Sequence, residues 1–153
     1  MSAESKLSTA EQLQALIPSF HTLALDTVGD RFGFSLESWD EAADTYTFRC
    51  RTEKWMANAA GSLHGGMAAA AVDQAMGFVV HCIQPGAGFS PTVEMQLSYH
   101  RPLRAEGALL VRVQVLTRGK SLMHLRAEVY GENAPDKLCV SATAVYAFVP
   151  AKE

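Results

Sequence analysis

The chain has 153 residues, 48% of them hydrophobic, so it can bury the core of a single domain. Its formal net charge of −3, with 13 scattered lysines and arginines, argues against a nucleic-acid-binding surface. Cys50, Cys82 and Cys139 lie far apart and form no C-x-x-C pair, so neither a disulfide framework nor a zinc site is indicated. We therefore expect a cytoplasmic protein with no targeting segment, no metal, and no membrane or nucleic-acid partner.

The first predicted element is a short helix near the N-terminus. Ser8 or Thr9 can cap it, apolar residues then recur at helical spacing, and Pro18 ends or redirects it. We interpret residues 1–18 as a peripheral cover helix and residues 19–150 as one domain.

A strand hairpin and a long helix follow. Apolar and polar residues alternate between Leu25 and Arg51, with a turn at Asp40–Asp44. After an irregular stretch at 52–62, mostly apolar helix formers run from Leu63 to Ile83, and the segment Gln84–Gly88 cannot continue a helix.

Four strands complete the predicted fold. Alternation places them at Thr92–His100, Leu109–Leu116, Leu122–Tyr130 and Leu138–Phe148, the last three joined as a meander. The central helix is too apolar to lie on a surface, and a sheet of this kind has one face to cover. We predict an α+β fold in which an antiparallel sheet wraps around one long central helix, with the N-terminal helix as a cover.

A lone acidic residue, Asp73, interrupts this apolar helix, and His64-Gly65-Gly66 precede it. Burial of an unpaired carboxylate costs several kcal/mol, so a partner or a task must hold Asp73 there. His64 and Asp73 are nine positions apart, about 180° around a helix and about 13 Å along it, and cannot meet on one helix. If both serve one reaction centre, a second copy of the chain supplies one of them, which predicts a symmetric dimer. The alternative is an exposed histidine at a helix start and a carboxylate hydrogen-bonded in a subunit contact.

These motifs resemble those of the hotdog-fold acyl-CoA thioesterases of the phenylacetate-pathway and 4-hydroxybenzoyl-CoA type. The resemblance covers about residues 20–149 and rests on Asn58, His64-Gly65-Gly66, Asp73, Pro91–Met95 and Gly119-Lys120-Ser121. It implies a hotdog fold, a homodimer or the tetramer that the family often forms, and hydrolysis of an acyl-CoA thioester. No cofactor is implied, because coenzyme A is part of the substrate.

The resemblance implies that the backbone N–H of Gly65 polarises the thioester carbonyl. The N–H groups in the first turn of a helix are unpaired and lie at its positive end, and such a donor is typically worth about 3 kcal/mol at a developing oxyanion. Gly66 would lie beside the substrate, or serve close helix packing. Asp73 of the partner subunit would activate a water or attack the carbonyl itself.

Three further residues carry implied roles. Asn58 helps to hold the thioester or the water, His64 orders the loop through its imidazole, and the hydroxyl of Thr92 positions the water beside Asp73. For Asn58 and Thr92 the alternatives are a turn residue and an ordinary strand residue.

Gly119-Lys120-Ser121 suggests a P-loop, but the position that needs the first glycine is Gln114, in a predicted strand, so we interpret the motif as a hairpin turn. In the resembled family this turn lies near the nucleotide of coenzyme A. Lys120 and Ser121, with Arg101 or Arg104, are therefore candidates to contact its phosphates.

Two other functions stay open at this stage. The same groove could serve a non-catalytic acyl or acyl-CoA binding module, or a hydratase or dehydratase acting on acyl thioesters. The sequence contains no Gly-x-Ser-x-Gly elbow, and His81, His100 and His124 have no metal-ligand spacing. The acyl group is undetermined, because Met76 and Phe78 suit aromatic and medium-chain pockets equally.

Overall fold

The computed structural model describes residues 7–84 and 87–150. Its helices are α1 (Thr9–Leu23), α2 (Val28–Phe32) and α3 (Gly65–Ile83), with a single 3₁₀ turn at Lys54–Met56. Its strands are β1 (Ser35–Asp40), β2 (Thr45–Thr52), β3 (Ala87–Phe89), β4 (Thr92–Tyr99), β5 (Gly107–Arg118), β6 (Leu122–Gly131), β7 (Ala134–Ala147) and β8 (Val149–Pro150).

Six strands form one antiparallel sheet in the order β1-β2-β5-β6-β7-β4. The predicted meander is confirmed as β5-β6-β7, and β4 lies beyond it at one edge. Helix α3 contacts five of the six strands, and α1 packs on α3. The predicted α+β architecture, a sheet around one long helix with an N-terminal cover, is therefore confirmed.

Helix α3 supplies the centre of the core. Nine of its residues are buried: Ala68, Ala71, Val72, Ala75, Met76, Phe78, Val79, Val80 and Cys82. The helix is long and apolar enough to cross a membrane, but half of its most apolar window is buried against the rest of the chain, as in a core helix.

Helix α1 is longer than predicted. Ser8 forms a capping box with Glu11, as the sequence indicated, but the helix runs through Pro18 to Leu23. Pro18 lies on the exposed side, where loss of one backbone donor is tolerated, while Leu13 and Ile17 stay buried. The boundary at residue 18 was therefore wrong by five residues, and residues 1–6 of the predicted cover lie outside the described ranges.

Other boundaries also differ from the prediction, and the largest strand extension is that of β7, which begins at Ala134 rather than Leu138. The strand expected from Leu25 begins only at Ser35, because Thr27 caps the short helix α2 and Gly33 ends it in the left-handed conformation (φ 53°). Helix α3 begins at Gly65 rather than Leu63, since His64 is its N-cap. The helix ends at Ile83; Pro85 and Gly86, which were expected to end it, lie outside the described residues.

Candidate active site

The carboxylate of Asp73 is held by two hydroxyl groups. Thr92 Oγ1 donates to Asp73 Oδ1 at 2.6 Å, and the Tyr146 hydroxyl donates to the same oxygen at 2.7 Å. The Tyr146 hydroxyl also lies 2.9 Å from the Asp73 backbone carbonyl. Within the described chain no lysine, arginine or histidine forms an ion pair with Asp73. Neutral donors alone therefore hold this half-buried acid.

The sheet places both hydroxyls on one oxygen. Thr92 at the start of β4 is the cross-strand partner of Tyr146 near the end of β7. Tyr146 is 1% exposed, and burial together with the neighbouring carboxylate raises its pKa well above the usual range. Tyr146 is therefore a permanent donor at any pH used for an assay.

The second oxygen of the carboxylate, Oδ2, is available for chemistry. No hydrogen-bond donor for Oδ2 lies among the residues that the structure describes. Asp73 faces a cleft of about 390 Å³ between α1, α3 and the start of β4, which we call the acid cleft. The apolar side chains of Leu16, Phe20 and Phe78 line much of it. An anchored carboxylate with one free oxygen beside an apolar cleft can accept a proton or attack an electrophile.

A free backbone donor lies at the start of α3. The Gly66 N–H donates to His64 Nδ1 at 3.0 Å, and the N–H groups of Met67 and Ala68 donate to the His64 carbonyl. Within residues 7–84 and 87–150 the Gly65 N–H has no such acceptor. His64 thus caps the helix start with its imidazole, and Gly65 keeps an unpaired donor at the positive end of the helix dipole.

The loop before α3 is held by Asn58. Its Oδ1 accepts from the backbone N–H groups of Ala60 and Ser62, and its Nδ2 donates to Ser62 Oγ at 2.9 Å. This geometry is the turn role that was the alternative for Asn58. Asn58 and Gly65 line one cleft of about 340 Å³ with Tyr99, which we call the amide cleft.

Tyr99 closes one side of the amide cleft. Its hydroxyl donates to the Gly65 carbonyl at 2.7 Å, and a Cβ on Gly65 would lie 3.3 Å from the tyrosine ring. A side chain at 65 would need the half-exposed Tyr99 ring to shift by a few tenths of an ångström, so glycine favours this contact and leaves the N–H accessible.

The two clefts do not share a residue. Asp73, Thr92 and Tyr146 line the acid cleft, whereas Asn58 and Gly65 line the amide cleft. Along α3, Gly65 and Asp73 are eight residues or about 12 Å apart. A single chain thus brings Thr92 to Asp73 and Asn58 to Gly65 but keeps the acid away from the free amide.

Gly119, Lys120 and Ser121 form the exposed turn between β5 and β6, as predicted. The Gly119 N–H donates to the Leu122 carbonyl at 2.9 Å, and a Cβ at 119 would lie 2.7 Å from that same oxygen. Glycine is needed there for this close approach and not for a left-handed backbone. The turn lines neither the acid cleft nor the amide cleft.

The hydrogen-bonding roles of Tyr146 and Tyr99 were not predicted. The sequence does carry a signal for Tyr146, because it continues the inward-facing series of Ala142 and Ala144 in β7. An inward-facing tyrosine needs a partner for its hydroxyl, and the lone acid of the central helix is the natural acceptor.

Comparisons with known proteins identify the family. A family model described as "Thioesterase superfamily" matches residues 60–146, more than half of the chain. The human protein named acyl-coenzyme A thioesterase 13 is 32% identical over 72 residues, which are 47% of this chain. The chain spans only about half (51%) of the length of that relative.

Solved structures show the same fold. The PaaI protein of the E. coli phenylacetic acid degradation operon is similar with a TM-score of 0.73 at 17% identity, over 92% of this chain and 97% of its own. Thioesterase superfamily member 2 from Mus musculus has a TM-score of 0.71 at 20% identity, over 94% and 98%. The expected hotdog fold is thereby confirmed.

Proposed function

Because this chain belongs to the thioesterase superfamily, we propose that it hydrolyses acyl-CoA thioesters with Asp73 as the reactive acid. The observation that carries the proposal is the environment of Asp73: one oxygen fixed by Thr92 and Tyr146, the other free beside an apolar cleft. The name of the human relative supports coenzyme A as the thiol.

The proposed reaction adds water to the thioester carbonyl. Asp73 Oδ2 takes the proton of the attacking water, or itself attacks to give an anhydride that water then cleaves. The carbonyl oxygen becomes negative as the new C–O bond forms, and the free N–H of Gly65 stabilises that charge. In the first route the C–S bond then breaks and the proton held by Asp73 passes to the departing thiolate. In the second route the thiolate leaves as the anhydride forms, and it takes up a proton from the water that cleaves the anhydride. Thr92 acts in this scheme by fixing the carboxylate, which is a more direct role than positioning the water.

We propose that each reaction centre combines Asp73 of one subunit with Gly65 of another, since one chain holds them in separate clefts. Strand β4 is suited to join the subunits. It is an edge strand, and Val93 and Tyr99 on it are 60% and 55% exposed. An exposed edge with apolar side chains favours pairing with another strand.

Antiparallel pairing of two β4 strands would join the half-sites twice by symmetry. Thr92, which binds Asp73, begins β4, and Tyr99, which binds the Gly65 carbonyl, ends it. Pairing therefore puts the acid cleft of each subunit beside the amide cleft of its partner. A homodimer is the minimum assembly in this proposal, and a tetramer would repeat it.

A complementation experiment tests both the chemistry and the sharing. Asp73→Asn removes the reactive acid, and we expect activity to fall about 100-fold or more. Gly65→Pro removes the N–H while Pro is tolerated at the first helical position, and His64 already has the extended backbone (ψ 134°) that precedes proline. The two inactive variants are co-expressed with different tags and purified together, and released thiol is measured.

Shared sites predict recovery of about a quarter of wild-type activity, because random pairing makes half of the dimers mixed and each mixed dimer has one intact site. Sites within one subunit predict no recovery, which would overturn the sharing. Ligand-induced thermal stabilisation of the wild type without thiol release for any acyl-CoA would instead indicate a binding module. Product analysis with an enoyl-CoA tests the hydratase alternative.

Contact of Lys120 and Ser121 with the phosphates of coenzyme A stays a prediction. Lys120 is exposed in the β5–β6 turn. Lys120→Ala is expected to raise KM several-fold for an acyl-CoA but not for the same acyl thioester of N-acetylcysteamine, which lacks phosphates. An equal change for both thioesters would contradict a phosphate contact.

A further inference from the structure

Glycine at position 77 of the acid cleft is not explained by packing among the residues that the structure describes. It lies inside α3, where glycine is the least favourable residue apart from proline. A helical backbone needs no glycine, and a Cβ placed on Gly77 would meet no atom within 4 Å. By contrast, a Cβ on Gly29 in α2 would lie 2.8 Å from the Phe20 ring, so packing accounts for that glycine.

The position of Gly77 relative to Asp73 is informative. Asp73, Gly77 and His81 recur every four residues, so they form one stripe along the side of α3 that lines the acid cleft. Gly77 follows Asp73 by one turn, about 6 Å along the axis. The free space above Gly77 is therefore the next part of the cleft beyond the reactive acid.

Helix α1 forms the opposite wall of this space. Leu16 and Phe20 extend from α1, and the Phe20 ring packs edge-on against Phe78 of α3 with centroids 5.1 Å apart. A carbonyl held at Asp73 would have its acyl substituent in a groove with Gly77 as floor and Leu16 and Phe20 as wall. Such an apolar groove suits the carbon chain of an acyl group.

We propose that Gly77 determines which acyl groups the enzyme accepts, by leaving room for the acyl chain one helical turn beyond Asp73. This inference rests on the proposed function. A side chain at 77 would project into the groove about 6 Å along the helix from Asp73, and a branched one such as valine would obstruct it more than the single methyl of alanine. Phe20 sets the width of the same groove from the α1 side.

The test is a chain-length profile. Release of thiol is measured for acetyl-, butanoyl-, hexanoyl- and octanoyl-CoA with the wild type, Gly77→Ala and Gly77→Val. We expect kcat/KM for the longest ester that the wild type hydrolyses to fall about 10- to 100-fold, more for valine, while acetyl-CoA changes less than about twofold. Phe20→Leu makes the groove wider, and we expect it to raise kcat/KM for the longer esters relative to acetyl-CoA. Leu23→Ala is the matched control for Phe20→Leu. Leu23 also lies on α1, at its last position, but it is 85% exposed and lies outside the acid cleft.

The outcomes separate this inference from the function on which it rests. A wild type that hydrolyses no acyl-CoA contradicts the proposed function. A wild type that is active while the Gly77 variants keep its profile, or lose all esters equally, overturns only the role of Gly77. Size-exclusion chromatography of Gly77→Ala completes the test: a changed assembly would mean that glycine serves a subunit contact, which also overturns the proposal.

Discussion

Replacing Tyr146 by phenylalanine removes one hydroxyl and keeps the ring that fills the core. The lost interactions are a 2.7 Å hydrogen bond to Asp73 Oδ1 and a 2.9 Å contact with the Asp73 carbonyl. A hydrogen bond to a charged group contributes about 1.5–3 kcal/mol, and each 1.4 kcal/mol is about tenfold in rate. If the bond fixes the reactive carboxylate, Tyr146→Phe should lower kcat about 10- to 100-fold and leave KM within about threefold.

Thr92→Val provides a graded comparison. Thr92 is exposed, so its bond to Asp73 is partly replaced by water, and we expect a smaller loss of kcat than for Tyr146→Phe. Because both hydroxyls hold the same oxygen, the double variant should lose less than the product of the two single losses.

Tyr46→Phe is the matched control for folding. Tyr46 is fully buried, and its hydroxyl donates to Glu41 Oε2 at 3.0 Å, remote from both clefts. Tyr46→Phe should lower the free energy of unfolding, measured in urea, about as much as Tyr146→Phe does, but it should keep the kcat of the wild type. The reasoning is refuted if folded Tyr146→Phe keeps kcat within about twofold of the wild type, or if Tyr46→Phe loses as much.

Three further predictions concern stability. Gly119→Ala should cost about 1–3 kcal/mol in urea denaturation, because its Cβ would lie 2.7 Å from the Leu122 carbonyl; an unchanged midpoint contradicts this packing. Ser8→Ala should lower the free energy of unfolding by about 1 kcal/mol, because it removes the N-cap of α1. Circular dichroism and urea denaturation that show no loss would contradict this role. Burial raises the pKa of Cys50 to about 12 and that of Cys82 to about 11. Each buried thiol therefore favours the folded state fully while it is protonated below about pH 8.5, and this stabilisation is lost as the pH rises through the two pKa values. The free energy of unfolding should therefore decrease between pH 8.5 and 11, by up to about 1.4 kcal/mol per pH unit for each thiol, and denaturation midpoints that stay constant over this range would show otherwise.

Local pattern was a good guide where one interaction dominates. Alternation predicted β4 to within one residue, since a strand with an apolar and a polar face reads the same in sequence and structure. It failed between Leu25 and Phe34, where the cap at Thr27 and the left-handed Gly33 favour a short helix over a strand. Pro18 did not end α1, because a proline on the exposed side of a packed helix is tolerated.

The candidate site, too, was predicted only in part. Asp73 as an acid that needs partners follows from residue type and position, whereas the ordering role of His64 was implied by the family resemblance. The resemblance pointed to Thr92, but the bond of Thr92 to Asp73 depends on the strand register that places it opposite Tyr146. Residues 54 positions apart become neighbours only through strand pairing, which no local pattern encodes.

By itself, the sequence determined the class of fold, the isolated acid in an apolar helix and the glycines at the start of that helix, because hydrophobic periodicity and burial cost act on neighbouring residues. The tertiary structure alone decided which oxygen of Asp73 is free, that Tyr146 holds the other, and that Gly77 borders open space. Those properties arise from strand register and from the packing of α1 on α3, where groups distant in the chain meet.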